Sequence, residues 1–234
     1  MIKIVSLASS SKGNCHYITD GSSPLFLDAG ISVKEIRQGL PVSVADITAA
    51  LITHEHKDHC KAVPDLMRAG VDIYMSEGTR AAVGVTGHRA KVVKSREQFT
   101  VGTWQILPFE AEHDCAEPLG FLLASGGEKL LYLTDSYYCR YRFQGLTRIM
   151  LECNYSADIL AANVAAGHVP HELKKRLIKS HFSLENVKNF LKRNDLSKVK
   201  EIHLIHLSDG NSDAARFKRE IQELTCKPVL VADA

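Results

Sequence analysis

Four side chains able to bind a metal fall within six residues of this chain, His54, His56, Asp58 and His59, in the pattern His-x-His-x-Asp-His. The apolar run Ala49-Ala50-Leu51-Ile52 leads into them and reads as a buried strand. The cluster therefore sits where a strand ends and a loop begins. Two residues apart on extended backbone, His54 and His56 face the same way. Asp58 and His59 follow as the chain turns into a helix. One short stretch can thus offer ligands to two metal ions. Imidazole and carboxylate suit zinc, manganese or iron, with zinc the default for a nitrogen-rich set.

The 234 residues suit one large domain or two small ones, and we take 1–234 as a single domain. With 45% apolar and 24% charged residues the composition is that of a globular protein rather than a disordered or fibrous one. The formal net charge of +2 is too small to imply a nucleic-acid partner by itself. No apolar run approaches the length that spans a membrane. The start, Met1-Ile2-Lys3-Ile4-Val5, goes straight into a strand and lacks a secretory signal, which predicts a cytoplasmic protein. The six cysteines form no Cys-x-x-Cys pair and are expected to be free and buried.

Alternation and turn residues predict strands at 2–7, 15–19, 24–28, 98–101, 104–109, 119–124 and 130–134, with a short one at 71–75. Further strands are expected at 147–152, 199–205 and 228–231. Asp20-Gly21 and Gly126-Gly127 mark hairpin turns. Helices are expected from Ser32 to Leu40, over 59–69 ending at Gly70, and over 77–83, 156–165, 170–178, 184–193 and 212–224. Strands followed by helices, twice, predict an α+β fold: an αββα sandwich of two packed mixed sheets with helices on the outer faces. The strand ends bearing His54, His113, Asp135 and His206 would then converge along one edge.

The His-x-His-x-Asp-His pattern resembles the signature of the metallo-β-lactamase superfamily. Phe26-Leu27-Asp28-Ala29-Gly30 is similar to the superfamily's first motif, and Glu112-His113-Asp114 to its third. Leu133-Thr134-Asp135 resembles the fourth, and His206 the last. The opening Leu7-Ala8-Ser9-Ser10-Ser11-Lys12-Gly13-Asn14, with Ser180-His181-Phe182-Ser183 and His206-Leu207-Ser208, resembles the small YycJ-like nuclease and phosphodiesterase branch. Two positions depart from that branch: Ser180 stands where it usually has Gly, and Ser136-Tyr137-Tyr138 where it commonly has Thr-Gly.

The resemblance implies two divalent ions, zinc or manganese, with iron as a further option. His54, His56 and His113 would hold one ion, and Asp58, His59 and His206 the other. Asp135 would bridge them, with a hydroxide between the ions as nucleophile. Asp28 would accept a hydrogen bond from a ligand imidazole and fix its tautomer. In nuclease relatives a histidine placed like His181 protonates the leaving oxygen, and a glutamate placed like Glu152 orients it. Asp58, His181 and Glu152 are thus read as the residues on which catalysis depends. His203 is out of phase with His206 and is expected to be structural. Ser10, Lys12 and Asn14, together with Arg140, Lys175 and Arg176, are candidate contacts to substrate phosphates, and Arg142, Lys174 and Lys179 add to the basic character of these segments.

The function predicted is a dinuclear metal-dependent phosphodiester hydrolase, a DNA or RNA nuclease of exonuclease type with nucleic acid as substrate and no membrane partner. A second reading is a hydrolase of a small substrate, a thioester, lactone or cyclic phosphodiester, on the same scaffold. A third, a binding protein with a degenerate site, conflicts with the intact ligand set.

Overall fold

A computed structural model describes residues 1–232. Among the described residues the strands form two mixed sheets, of six and seven strands, and the chain divides into two compact units. The first comprises Met1–Glu110 and Cys115–Glu128; the second comprises Ala111–Asp114 and Lys129–Ala232. No helix among the described residues is long and apolar enough to cross a membrane.

The first unit carries the six-stranded sheet, in the order β1 (Lys3–Ser10), β2 (Gly13–Thr19), β3 (Leu25–Leu27), β4 (Ala49–Leu51), β5 (Asp72–Met75) and β6 (Ala90–Val92). The first three strands are antiparallel and the rest parallel. The parallel strands read as unbroken apolar runs, Leu-Phe-Leu and Ala-Ala-Leu, because both faces of the sheet are covered. On one face Phe26, Ala50, Ile52 and Ile73 form a core with Ile36 of α1 (Val33–Gly39) and with Val63 and Leu66 of α3 (Val63–Arg68). Full burial of each large side chain in this core contributes about 1.5–3 kcal/mol. Helix α4 (Glu77–Val83) and an antiparallel set β7 (Phe99–Val101), β8 (Trp104–Glu110) and β9 (Leu119–Ser125) complete the unit.

The second unit is built on four parallel strands, β10 (Glu128–Leu133), β11 (Arg148–Glu152), β12 (Glu201–Ile205) and β13 (Val229–Val231). Its helices are α5 (Ala157–Ala165), α6 (His171–Ser180), α7 (Leu184–Lys192) and α8 (Ala214–Thr225). Ser183 caps α7 by accepting from the Asn186 amide, and Ser32 caps α1 in a full capping box with Glu35.

Three expectations differ from the structure. The helix expected over 59–69 is two helices, α2 (Lys57–Cys60) and α3. Pro64 has no amide to donate to the Cys60 carbonyl, so the ladder stops and restarts with the proline in its first turn. The strands expected at 2–7 and 15–19 run on to Ser10 and start at Gly13, which takes in most of the Ser9–Asn14 segment. That segment is the tip of the β1–β2 hairpin, where Ser9 pairs with Asn14 and Ser10 with Gly13. The cysteines are free, but only Cys15, Cys60, Cys139 and Cys153 are buried; Cys115 is half-buried and Cys226, at the end of α8, is exposed.

Candidate metal centre

In the first unit the metal motif hangs between two neighbouring parallel strands. Thr53 and His54 follow β4, and Asp28 follows β3. The Asp28 amide donates to the Leu51 carbonyl at 2.9 Å, and the Thr53 amide donates to Asp28 Oδ1 at 2.8 Å. Asp28 takes a left-handed backbone, with φ of 57°, which costs a non-glycine residue on the order of 1 kcal/mol. Gly30 is required here, because a Cβ at that position would lie 1.6 Å from the Asp58 carbonyl oxygen.

The fully buried Asp28 carboxylate sets the protonation of two imidazoles. It accepts from His59 Nδ1 at 2.8 Å and from the Thr53 hydroxyl at 3.0 Å. With its proton committed to Asp28, the Thr53 hydroxyl accepts from His54 Nδ1 at 2.9 Å. Both histidines thus carry the proton on Nδ1 and present Nε2 as the nitrogen that a metal would use. His59 Nε2 lies 3.4 Å from Asp58 Oδ2, and His54 Nε2 lies 3.1 Å from His56 Nδ1. Asn14 joins this cluster: its amide nitrogen is 3.1 Å from His59 Nε2 and donates to the Ser10 carbonyl at 2.9 Å. Asn14 and Ser10 are 1% and 5% exposed, so their side chains are turned inwards, whereas Lys12 is on the surface. Cys60 next to the motif keeps its proton, since burial pushes its thiol up to about 11.

In the second unit the carboxyl ends of three adjacent parallel strands carry Asp135, Glu152 and His206. That is where ligands are held in parallel sheets. Asp135 and His206 also have left-handed backbones, with φ of 44° and 53°. His113 Nε2 lies 3.6 Å from Asp135 Oδ2, and His206 Nε2 lies 3.7 Å from Asp135 Oδ1. The other nitrogen of each ring is held elsewhere. His113 Nδ1 donates to the Ser180 carbonyl at 2.7 Å, and His206 Nδ1 donates to Glu152 Oε1 at 3.2 Å. Both Nε2 atoms therefore face Asp135 as the unprotonated nitrogens of their rings. Burial lowers the pKa of His113 against the opposing pull of Asp135, which keeps that imidazole neutral and able to coordinate.

Glu152 is fully buried and accepts four hydrogen bonds. Oε1 takes His181 Nδ1 at 2.6 Å and His206 Nδ1; Oε2 takes the amides of Ser136 and Phe182 at 3.0 and 3.1 Å. Burial would raise its pKa, but the neighbouring His181 charge and these donors outweigh it and hold the carboxyl below its usual range. His181 is pulled the other way: burial would lower its pKa, but Glu152 outweighs that and raises it. Its side chain is 15% exposed, and its ring stacks 5.6 Å from that of His206. Ligand atoms of Asp135, Glu152, His181 and His206 all lie within 4.8 Å of one another.

The remaining candidates are at the surface. Lys175 pairs with Glu172 and Arg176 with Asp114, both at 2.8 Å, and Arg140 pairs with Glu112. His203, on β12, lies 3.2 Å from Glu201, as a structural histidine would. Reading the sequence did not single out three contributors. These are Thr53, which relays Asp28 to His54; the Ser180 carbonyl, which orients His113; and Asn154, whose amide donates to the His206 carbonyl at 3.0 Å. Thr53, adjacent to a candidate ligand, was the one with a visible signal.

A family profile described as "Beta-lactamase superfamily domain" matches residues 25–207, and the chain belongs to the metallo-β-lactamase superfamily. It is a metal-dependent hydrolase with His and Asp clusters able to bind metal. It is 31% identical to "Exodeoxyribonuclease WalJ" of Streptococcus pneumoniae (strain ATCC BAA-255 / R6), over 88% of this chain and 81% of that one. It is 28% identical to "Exodeoxyribonuclease YycJ" of Bacillus anthracis, over 88% and 82% of the two chains. Among solved structures, the metallo-β-lactamase fold protein YhfI from Bacillus subtilis superimposes with a TM-score of 0.77 at 15% identity, covering 100% of this chain and 96% of that one. That likeness speaks for the fold alone.

Proposed function

We propose that this chain is a dinuclear phosphodiesterase that degrades DNA or RNA in the manner of an exonuclease. The names of the 31% and 28% identical relatives support nucleic acid as the substrate. The observation that carries the chemistry is the pair of histidines on one buried carboxylate, His206 and His181 on Glu152.

The proposal takes residues 1–234 as one catalytic domain working in the cytoplasm. One ion is assigned to His54, His56 and His113 and the other to Asp58, His59 and His206, with Asp135 shared. The donor chemistry fits. Nitrogens about 2.1 Å from one tetrahedral ion stand about 3.4 Å apart, close to the 3.1 Å between His54 Nε2 and His56 Nδ1. Four of the imidazoles have Nδ1 engaged by Asp28, Thr53, Ser180 or Glu152, which leaves Nε2 as the donor. Zinc or manganese ions bound there would supply an activated water and charge neutralisation for in-line displacement at phosphorus.

The chain's own groups do the rest. Asp28 and Thr53 hold the tautomers of His59 and His54. Glu152 anchors Nδ1 of His181, so that the opposite ring nitrogen, Nε2, carries the proton handed to the leaving oxygen. An alkoxide from a phosphodiester leaves poorly, so this acid has a clear task. Lys12, Arg140, Lys175 and Arg176 would meet backbone phosphates without reading sequence. The test is to incubate purified protein with zinc or manganese and end-labelled single- and double-stranded DNA and RNA, alongside a small thioester, a lactone and a cyclic phosphodiester. Stepwise shortening of a nucleic acid is expected. Turnover of only a small substrate would overturn the reading.

A further inference from the structure

Two aromatic residues stand in solvent two and three positions after Asp135. Tyr137 and Tyr138 are 37% and 42% exposed, among the large apolar side chains left outside in the described residues. The backbone that presents them is tightly held. The Ser136 amide donates to Glu152, and the Ser136 hydroxyl donates to the Tyr138 carbonyl at 2.8 Å. The Tyr137 amide donates to the Glu112 carbonyl at 3.1 Å, and Asn186 of α7 donates to the Tyr137 carbonyl at 3.0 Å. A loop fixed at four points has lost its conformational entropy before anything binds, so the rings are preorganised.

Tyr138 borders a cavity of about 360 Å³ lined also by Phe182, Asn186, Asn189, Phe190 and Arg193. The loop that carries Tyr138 is tied to the proposed acid through Glu152, whose Oε2 accepts the Ser136 amide and whose Oε1 holds His181 Nδ1. The Arg193 guanidinium lies over the Tyr138 ring, 6.0 Å from its centroid, and donates to the phenol oxygen at 3.3 Å. Lys192 beside it is exposed. An open aromatic face, amide side chains for polar edges and a cation for a phosphate are the elements that hold an unstacked nucleobase. A base inside a duplex has both faces covered by its neighbours, so such a ring suits a base freed from the stack.

We propose that Tyr138 and the adjoining cavity form a stacking subsite for one unpaired nucleobase next to the phosphodiester being cut. The proposal rests on the nuclease reading above and deepens it. The ring supplies the stacking, while Arg193 holds the phenol and offers charge to the neighbouring phosphate.

The experiment uses the full chain loaded with zinc or manganese. kcat/KM is measured on a single-stranded DNA oligonucleotide and on three versions carrying an abasic residue at each of the three positions nearest the cut end. The wild-type protein should lose about 5- to 150-fold at one of those positions. Tyr138→Ala should lose a similar factor on the intact strand and show no further loss at that abasic position, as coupled partners do. Tyr138→Phe should retain the wild-type sensitivity. If Tyr138→Ala still responds to the missing base as wild type does, the subsite is wrong. It is equally wrong if Tyr138→Phe fails as badly as Tyr138→Ala. A wild-type protein that degrades no nucleic acid overturns the nuclease reading and the subsite together. A wild type that degrades DNA regardless of any missing base overturns the subsite alone.

Discussion

Oε1 of Glu152 lies 2.6 Å from Nδ1 of His181, and the same oxygen holds Nδ1 of His206 at 3.2 Å. One buried carboxylate thus fixes the orientation of a candidate metal ligand and of a candidate acid. Neither ring can turn without disturbing the other. Its second oxygen is occupied by the amides of Ser136 and Phe182, so the carboxylate also ties two loops to the end of β11.

Glu152→Gln removes the charge and replaces one acceptor oxygen by a donor. Either the Ser136 and Phe182 amides both then face an NH2 group, or His181 and His206 both lose their shared acceptor. The expected cost is about 1–3 kcal/mol in urea-induced unfolding at pH 7. Hydrolysis of unactivated phosphodiesters should fall more than hydrolysis of a nitrophenyl ester. Unchanged stability and unchanged rates would rule out the positioning role.

Asp58→Ala should leave close to one metal per chain instead of two by elemental analysis, since it removes the only carboxylate not shared between the proposed sites. Hydrolysis should collapse with it. Two tightly bound ions and normal turnover in this variant would contradict the ligand assignment.

Asp28→Asn keeps the shape of the side chain but replaces the charge that His59 Nδ1 and Thr53 point towards. Metal affinity, measured by chelator competition, should weaken about 10- to 100-fold. An affinity equal to wild type would mean that the tautomers are fixed by something else.

Asp20 offers a test of stability away from the site. It accepts from the amides of Ser22 and Ser23, from Thr103 and from Ser125, whose hydroxyl lies 2.6 Å away. Burial opposes ionisation, but these donors win and lower its pKa. A carboxyl lowered in the folded state stabilises fully above its unfolded value of about 3.9, and that contribution fades as pH falls through the folded value. Asp20→Ala should therefore lose about 1 kcal/mol at pH 7, the surface setting keeping the figure low. Its deficit against wild type should shrink in urea titrations as the pH is taken below about 4. A deficit independent of pH would assign the loss to packing.

Much of this was legible in the sequence for physical reasons. Buried parallel strands announce themselves as apolar runs, and Ser32 and Ser183 cap helices because a hydroxyl at that position satisfies an orphan amide. Gly126 and Gly127 both have positive φ, 55° and 77°, as a tight hairpin turn demands. The strand β6 was invisible because Ala-Lys-Val is three residues long and carries a charge. The break between α2 and α3 could have been read from Pro64, but the apolar spacing through it favoured a single helix. The inward turn of Ser10 and Asn14 depends on pairing across the β1–β2 hairpin and on the Asp58 carbonyl 44 positions away, which local pattern does not encode. The double role of Glu152 was half legible: its pairing with His181 was expected, its grip on His206 was not.

The most direct measurement compares leaving groups in His181→Ala. Metal content and rates are determined for wild type and variant on an unactivated phosphodiester and on a nitrophenyl ester. With His181 as the acid, both ions stay bound and the unactivated substrate loses about 10²- to 10⁴-fold, while the nitrophenyl ester, whose leaving oxygen needs no proton, loses far less. Equal losses on the two substrates with metals intact, or the loss of one ion from the variant, would contradict that role.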